Sequence, residues 1–223
     1  MAMAKMKSEN LGTNNNLIDY NMITEHKLNT FKLRTRAPQY APKMKPEHYG
    51  KLPSYEWCKY IFVDKYGEQQ PYDYHKVGSG EYTKVSVDYF PHINLWKKRL
   101  NRFRQFTNCG VPCGKINDIT VIDLDFYKDG QEEGNINGFN KEFGTDYAKA
   151  FDTYTVRTGS GGWHLYFKYT PKITQTQDDT TNVDTRGDGG YVVGAGTSFI
   201  TSTGDEKVYT VEHDAEIKPM PEK

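Results

Sequence analysis

The 223 residues are enough for one domain with its own hydrophobic core, and an aromatic content of 14% predicts that such a core forms. The chain has no apolar run long enough to cross a membrane, no apolar leader of the kind found in signal peptides, and only three cysteines with no CxxC pair, which argues against a membrane, secreted or zinc-ribbon protein and favours an intracellular one. The formal net charge of zero hides a balance of +8 in residues 1–110 (18 basic, 10 acidic) and −8 in residues 111–223 (11 basic, 19 acidic), so an anionic partner is not excluded.

The first half of the chain is irregular in sequence. Residues 1–16 are polar and Asn-rich and are predicted to be disordered. Residues 17–109 are predicted to form the N-terminal part of the domain, interrupted by several prolines. A helix is predicted over residues 54–67, where apolar side chains recur at helical spacing behind a possible cap at Ser54.

A second helix, over residues 93–106, is predicted to be strongly basic on one face. Its apolar stripe would pack on the domain, whereas the opposite face carries cations and no acid. Such a face is either simply solvated or a contact surface for a nucleic-acid phosphate backbone. The candidate DNA-binding residues are Lys97, Lys98, Arg99, Arg102 and Arg104.

After Gly114 the pattern changes to short strands and glycine turns. A helix is predicted within residues 137–151, and residues 214–223 are predicted to be a linker. The fold class is therefore predicted as α+β, with an antiparallel or mixed sheet in a core of residues 110–213. Strands are predicted within residues 118–126, 153–158, 163–170, 182–188, 189–196, 197–202 and 207–213.

The first of these strands carries two aspartates in an otherwise apolar run. Side chains alternate along a strand, so Asp123 and Asp125 share a face with Val121. Two carboxylates this close repel each other, and a divalent cation would remove that repulsion by using their oxygens as ligands. The alternative is a strand whose polar face merely meets solvent.

The next strands add a histidine, a glycine-rich turn and a third acid. His164 lies on the polar face of a strand that follows the turn 158–162, whose small residues suit an anion cradle. Asp184 and Arg186 face the same way two residues apart, as a metal–phosphate site requires. Taken singly, these features are equally typical of a structural histidine, a hairpin turn and a cross-strand ion pair. Asp188 is predicted to be an ordinary turn residue.

Taken in order, the stretches VIDLD, SGGWH and VDTRGDGGYVV resemble the motifs of bifunctional primase–polymerase domains of the archaeo-eukaryotic primase superfamily, over about residues 110–200. The resemblance implies an RRM-like sheet with the active site on one face. It implies DNA primase and DNA polymerase activity with Mg²⁺ or Mn²⁺, in the replication of a plasmid, phage or viral genome. Its implied partners are a single-stranded DNA template, ribo- or deoxyribonucleoside triphosphates, and a replicative helicase on the same or another chain.

The resemblance also assigns roles to individual residues. Asp123, Asp125 and Asp184 fall on the metal-binding and catalytic acids. His164 falls on the histidine that contacts the phosphates of the incoming nucleotide, and it counts among the catalytic residues. The remaining nucleotide-binding candidates are Arg157, Ser160, Gly162, Arg186 and, in the lead-in turn, Lys115.

Two other functions compete with this one. A rolling-circle nickase would need a second histidine beside His164, but the strand reads His164-Leu165-Tyr166. A catalytically inactive module that binds single-stranded DNA or a replication origin would keep the fold without needing all three acids.

Overall fold

The computed structural model describes residues 22, 25–54, 58–71, 73, 75–76, 79–89, 108–125, 151–173, 175 and 183–221. The predicted disordered terminus 1–16, the basic helix 93–106 and all but the last residue of the predicted helix 137–151 lie outside these residues. Among the helices that are described, none has the length and apolar character needed to cross a membrane.

Strands dominate the described part of the chain. A short helix, α1, spans Pro46–Tyr49. The antiparallel sheets predicted for the C-terminal half are confirmed, whereas the described residues contain too little helix to confirm an α+β class. The strands are β1 (Phe31–Lys32), β2 (Cys58–Val63), β3 (Gln69–Gln70), β4 (Thr83–Tyr89), β5 (Cys109–Pro112), β6 (Ile119–Leu124), β7 (Thr155–Arg157), β8 (Trp163–Lys168), β9 (Val183–Arg186), β10 (Tyr191–Val193), β11 (Ser198–Ile200), β12 (Glu206–Val208) and β13 (Thr210–His213).

The central feature is a five-stranded antiparallel sheet in the order β13-β7-β8-β6-β9. Strand β6 lies between β8 and β9, and its register aligns Asp123 with His164 on one side and with Asp184 on the other. Directly opposed residues in neighbouring strands point to the same face of a sheet. The register therefore brings three side chains far apart in sequence into one row.

The two faces of this sheet differ along their length. One face packs an apolar cluster of Leu124, Trp163, Leu165 and Phe167. On the other face the row of polar residues occupies only one end, and at the other end Val121 and its neighbours are fully buried in the main core. One half of the face that carries the acids is therefore buried in the core, and the other half carries the polar row. The face as a whole is not simply exposed to solvent.

A second sheet, in the order β1-β5-β10, contributes buried residues to the main core and joins the N-terminal segment to it. Phe31 of β1 is fully buried and lies over Gly110 of β5. A Cβ atom at position 110 would lie 2.4 Å from the Phe31 ring, so the absence of a side chain at Gly110 lets this ring lie over β5. The N-terminal segment is therefore part of the same core as the predicted catalytic strands.

The helix predicted over residues 54–67 is wrong, because residues 58–63 form strand β2 between β3 and β4. The run Tyr60-Ile61-Phe62-Val63 consists of aromatic and β-branched residues, which favour strands. A short apolar run can match helical spacing by chance. Here the run forms a strand because it pairs with β4.

The end of the chain also differs in detail from its prediction. The single strand predicted over 207–213 is divided at Tyr209, so that β12 pairs with β11 while β13 pairs with β7. Within the predicted linker, residues 214–223, some of the described residues contact the domain. Ile217 is 6% exposed, and the Lys218 carbonyl accepts a 2.8 Å hydrogen bond from the Lys168 N–H.

Candidate functional site

Asp123 is the centre of a charged cluster on the polar end of the five-stranded sheet. One of its carboxylate oxygens lies 3.5 Å from Nε2 of His164, and the other lies 3.3 Å from the Arg186 guanidinium. Arg186 also donates a 2.7 Å hydrogen bond to Asp184. These four side chains, predicted as site residues on three strands, are thus brought together by the register of β8, β6 and β9.

Arg186 acts as the internal counter-ion of this cluster. Its guanidinium contacts two carboxylates that face each other across adjacent strands. The Asp184 side chain is 7% exposed and the Asp123 side chain 20%, so their mutual repulsion is only partly screened by water. The strands therefore place a cation where two acids require one.

An open cavity of about 390 Å³ lies over the cluster. The predicted residues Asp125 and Ser160 line it together with the four clustered side chains. Its other lining residues were not predicted as site residues: Lys51, Thr158, Gln175, Gly189, Gly190, Tyr191, Val192, Val193 and Tyr209.

His164 is enclosed at the floor of the cavity. The residue is 4% exposed, and its ring centroid lies 5.8 Å from that of Tyr209. Burial lowers the pKa of the imidazole, an effect that the nearby Asp123 carboxylate opposes. The positive charges of Arg186 and Lys51 lower the pKa further. His164 is therefore a neutral hydrogen-bonding group here rather than a fixed cation.

The glycine-rich turn brings its hydroxyl groups, but not all of its glycines, to the cavity. Thr158 and Ser160 line the cavity, whereas Gly162 does not. A Cβ atom at position 162 would lie 2.2 Å from the Leu124 carbonyl oxygen, so Gly162 serves the close approach of the turn to the end of β6. A backbone hydrogen bond within the turn closes it, since the Thr158 N–H donates to the Gly162 carbonyl oxygen at 2.8 Å.

Like Gly162, two further predicted nucleotide-binding residues do not line the cavity. Arg157 pairs with Trp163 in the sheet, and its guanidinium lies 5.1 Å from the centre of the Trp163 ring, on the face opposite His164. Lys115 is exposed in the turn after β5 and does not line the cavity. Because the turn 158–162 makes residues 157 and 163 direct partners, alternation from Trp163 would have predicted the orientation of Arg157.

Asp188 is confirmed as a turn residue. Its carboxylate accepts a 2.9 Å hydrogen bond from the Lys115 N–H and a further one from the Tyr169 hydroxyl. These bonds join the turn before β6 to the turn before β10 and direct the carboxylate away from the site.

The residue that sequence reasoning missed most clearly is Lys51. It lies between α1 and the short bridge that joins Pro53 to Leu33, long before the acidic motif in sequence. The Tyr191 hydroxyl donates a 2.9 Å hydrogen bond to the Lys51 carbonyl, and burial raises the pKa of Tyr191 to about 12. No local pattern marks Lys51, because only the packing of β1 against β5 places it here.

The donor set is compatible with a divalent cation. In the described part of the chain, no three His, Cys, Asp or Glu side chains are gathered closely enough to form a ready metal site. However, Asp123 and Asp184 converge on one cationic group, and Asp125 lines the same cavity. Carboxylate oxygens with an adjoining open space are what Mg²⁺ or Mn²⁺ binds. Asp123 and Asp184 are therefore the pair that could hold such an ion in place of the Arg186 guanidinium, and Asp125 is a further acid at the same cavity.

A comparison with models of known protein families gives a match. The family model described as "Bifunctional DNA primase/polymerase, N-terminal" matches residues 79–223, more than half of the chain. The match includes every strand from β4 onward, and thus the whole five-stranded sheet. No curated protein matches the sequence.

Proposed function

Because the chain belongs to the bifunctional DNA primase/polymerase family, we propose that it makes and extends primers by template-directed nucleotidyl transfer, in the replication of a plasmid, phage or viral genome. The observation that carries this proposal is the row of Asp184, Asp123 and His164 on one sheet face below an open cavity. In the proposed fold the five-stranded sheet is the catalytic face of an RRM-like core.

The reaction forms a bond between the primer 3′-oxygen and the α-phosphorus and breaks the bond to pyrophosphate. Mg²⁺ or Mn²⁺ held by Asp123, Asp125 and Asp184 would stabilise the negative charge on the attacking and leaving oxygens. The proton of the 3′-hydroxyl passes to solvent, since none of the described residues is assigned as its base.

The remaining cavity residues bind and orient the triphosphate. The neutral His164 imidazole offers a hydrogen bond without competing for the acids, and its burial holds the ring in place. Ser160 and Thr158 offer hydroxyl donors from the rim. The planar guanidinium of Arg186 carries several N–H donors that match phosphate oxygens. If the guanidinium moved from the two carboxylates to the nucleotide, it would still be paired with negative charge.

The template contact is proposed for the basic segment of Lys97, Lys98, Arg99, Arg102 and Arg104. If these five cations each contact a phosphate of single-stranded DNA, the logarithm of affinity should fall with the logarithm of salt concentration with a slope of roughly −3.5. Fluorescence anisotropy over a salt series measures this slope. The variant with all five residues changed to glutamine should give a slope near zero, and an unchanged slope would place the contact elsewhere.

The proposed activity is tested by incubating the chain with single-stranded template, labelled nucleotides and Mg²⁺ or Mn²⁺, with and without a primer. Product without a primer, absent from the Asp123→Ala/Asp125→Ala variant, is the expected result. Product with a primer only would support a polymerase without primase activity. Product in neither reaction, with template binding intact, would overturn the catalytic proposal and favour the inactive DNA-binding module.

Using ribo- and deoxyribonucleotides in parallel reactions identifies the substrate class. A replicative helicase as partner, and the intracellular location, stay predictions from the sequence.

A further inference from the structure

The cavity over the catalytic sheet is completed by a segment from outside the family match. Lys51 precedes the first matched residue, 79, yet it lines the same cavity as Asp123 and Ser160.

The backbone around Lys51 is held from three sides. Its carbonyl accepts the 2.9 Å hydrogen bond from Tyr191, and the neighbouring Leu52 carbonyl accepts one of 2.9 Å from the Arg34 N–H. In α1, Glu47 accepts hydrogen bonds from the hydroxyl and the N–H of Ser202 at 2.8 and 3.0 Å. The backbone that carries Lys51 is therefore fixed relative to the cavity rather than part of a loose loop.

The charges lining the cavity show why a further cation matters. Among the described lining residues, three carboxylates are opposed by two cations, Arg186 and Lys51. Arg186 is engaged by two of the carboxylates. Lys51, in contrast, has no carboxylate within ion-pairing distance among the residues that the structure describes, and it is partly exposed. Lys51 is therefore the cationic lining residue that is not engaged by a carboxylate of the described residues.

We propose that Lys51 binds the triphosphate of the incoming nucleotide, as a positioning cation that the N-terminal segment adds to the catalytic sheet. This inference rests on the proposed function, because it assumes that a nucleoside triphosphate enters this cavity. A triphosphate carries several negative charges, and a lysine beside it gains a charge-assisted hydrogen bond in a site partly shielded from water.

The test compares binding of a fluorescent nucleoside triphosphate and of the matching monophosphate at fixed Mg²⁺ concentration. Lys51→Ala is expected to weaken triphosphate binding by at least about tenfold, the effect of one lost hydrogen bond to a charged group, and to weaken monophosphate binding less. Lys51→Arg should restore most of the affinity. Lys43→Ala is the matched control, since Lys43 is an exposed lysine of the same segment that does not line the cavity.

Urea unfolding of each variant separates binding from folding, and equal unfolding curves are expected because the Lys51 ammonium makes no ion pair with the described residues. Equal triphosphate affinity in the wild type and in Lys51→Ala would overturn the role of Lys51 and leave the proposed function intact. If the wild type itself bound no triphosphate, the proposed function would fall, and the role of Lys51 with it. A similar loss in Lys43→Ala would also overturn the inference, because it would indicate a general charge effect.

Discussion

Replacing Asp123 with asparagine is expected to lower template-directed nucleotide incorporation by about 10²–10³-fold, the loss typical of removing one preorganised charged or polar group from an active site. Asparagine keeps the size of the side chain and removes only its charge. Asp123 is the residue that contacts both His164 and Arg186, so its charge is the one that the cluster is built around. Primer extension under single-turnover conditions measures the effect.

The protein should stay folded in this variant, because Arg186 keeps its 2.7 Å bond to Asp184. Asp188→Asn is the matched control. It removes an acid of the same motif whose carboxylate bonds Lys115 and Tyr169 outside the cavity, so it should lower the unfolding temperature rather than the incorporation rate. Incorporation at the wild-type rate in a folded Asp123→Asn protein would remove Asp123 from the proposed mechanism.

The second large effect concerns the counter-ion. In the presence of a chelator, Arg186→Gln is expected to lower the free energy of unfolding by about 3 kcal/mol, since it leaves two largely buried carboxylates facing each other without their cation. Mg²⁺ or Mn²⁺ should recover part of that loss, because ion binding to the native state stabilises it and the guanidinium no longer competes. Urea unfolding with and without the ion measures both effects.

Arg36→Gln provides the comparison for Arg186→Gln, because Arg36 is an exposed arginine outside the cavity. It should change neither the free energy of unfolding nor its response to the ion. An ion effect of the same size in the wild type, Arg36→Gln and Arg186→Gln would mean that the cation binds away from Asp123 and Asp184.

The local pattern of the sequence, together with the order of its motifs, pointed to the acidic cluster. Strand alternation assigns each of Asp123, His164 and Asp184 to the polar face of its own strand, but only the register of the sheet brings the three side chains to one face and into one row. Asp188 could likewise be distinguished from Asp184 by the Asp-Gly-Gly sequence, which is typical of turns.

What the sequence could not provide depends on contacts between distant segments. Lys51 reaches the cavity through strand β1 and the Tyr191 hydrogen bond, neither of which leaves a local signal. Arg157 was expected near phosphate because it adjoins a glycine turn. Its pairing with Trp163 places its side chain on the sheet face opposite His164. In β2 the spacing of the apolar residues matched that of a helix. The segment forms a strand instead, because it pairs with its neighbouring strands.

The burial of Phe31 over Gly110 bears on where the domain begins. The family match starts at residue 79, but β1 supplies an edge of the sheet that carries β5 and β10, and Leu28, Phe31 and Leu33 are all at most 1% exposed. A chain shortened to the matched residues would bare this apolar surface to water. The residues that match the family model are therefore fewer than the residues that share the hydrophobic core, and the folding unit is expected to begin before residue 79.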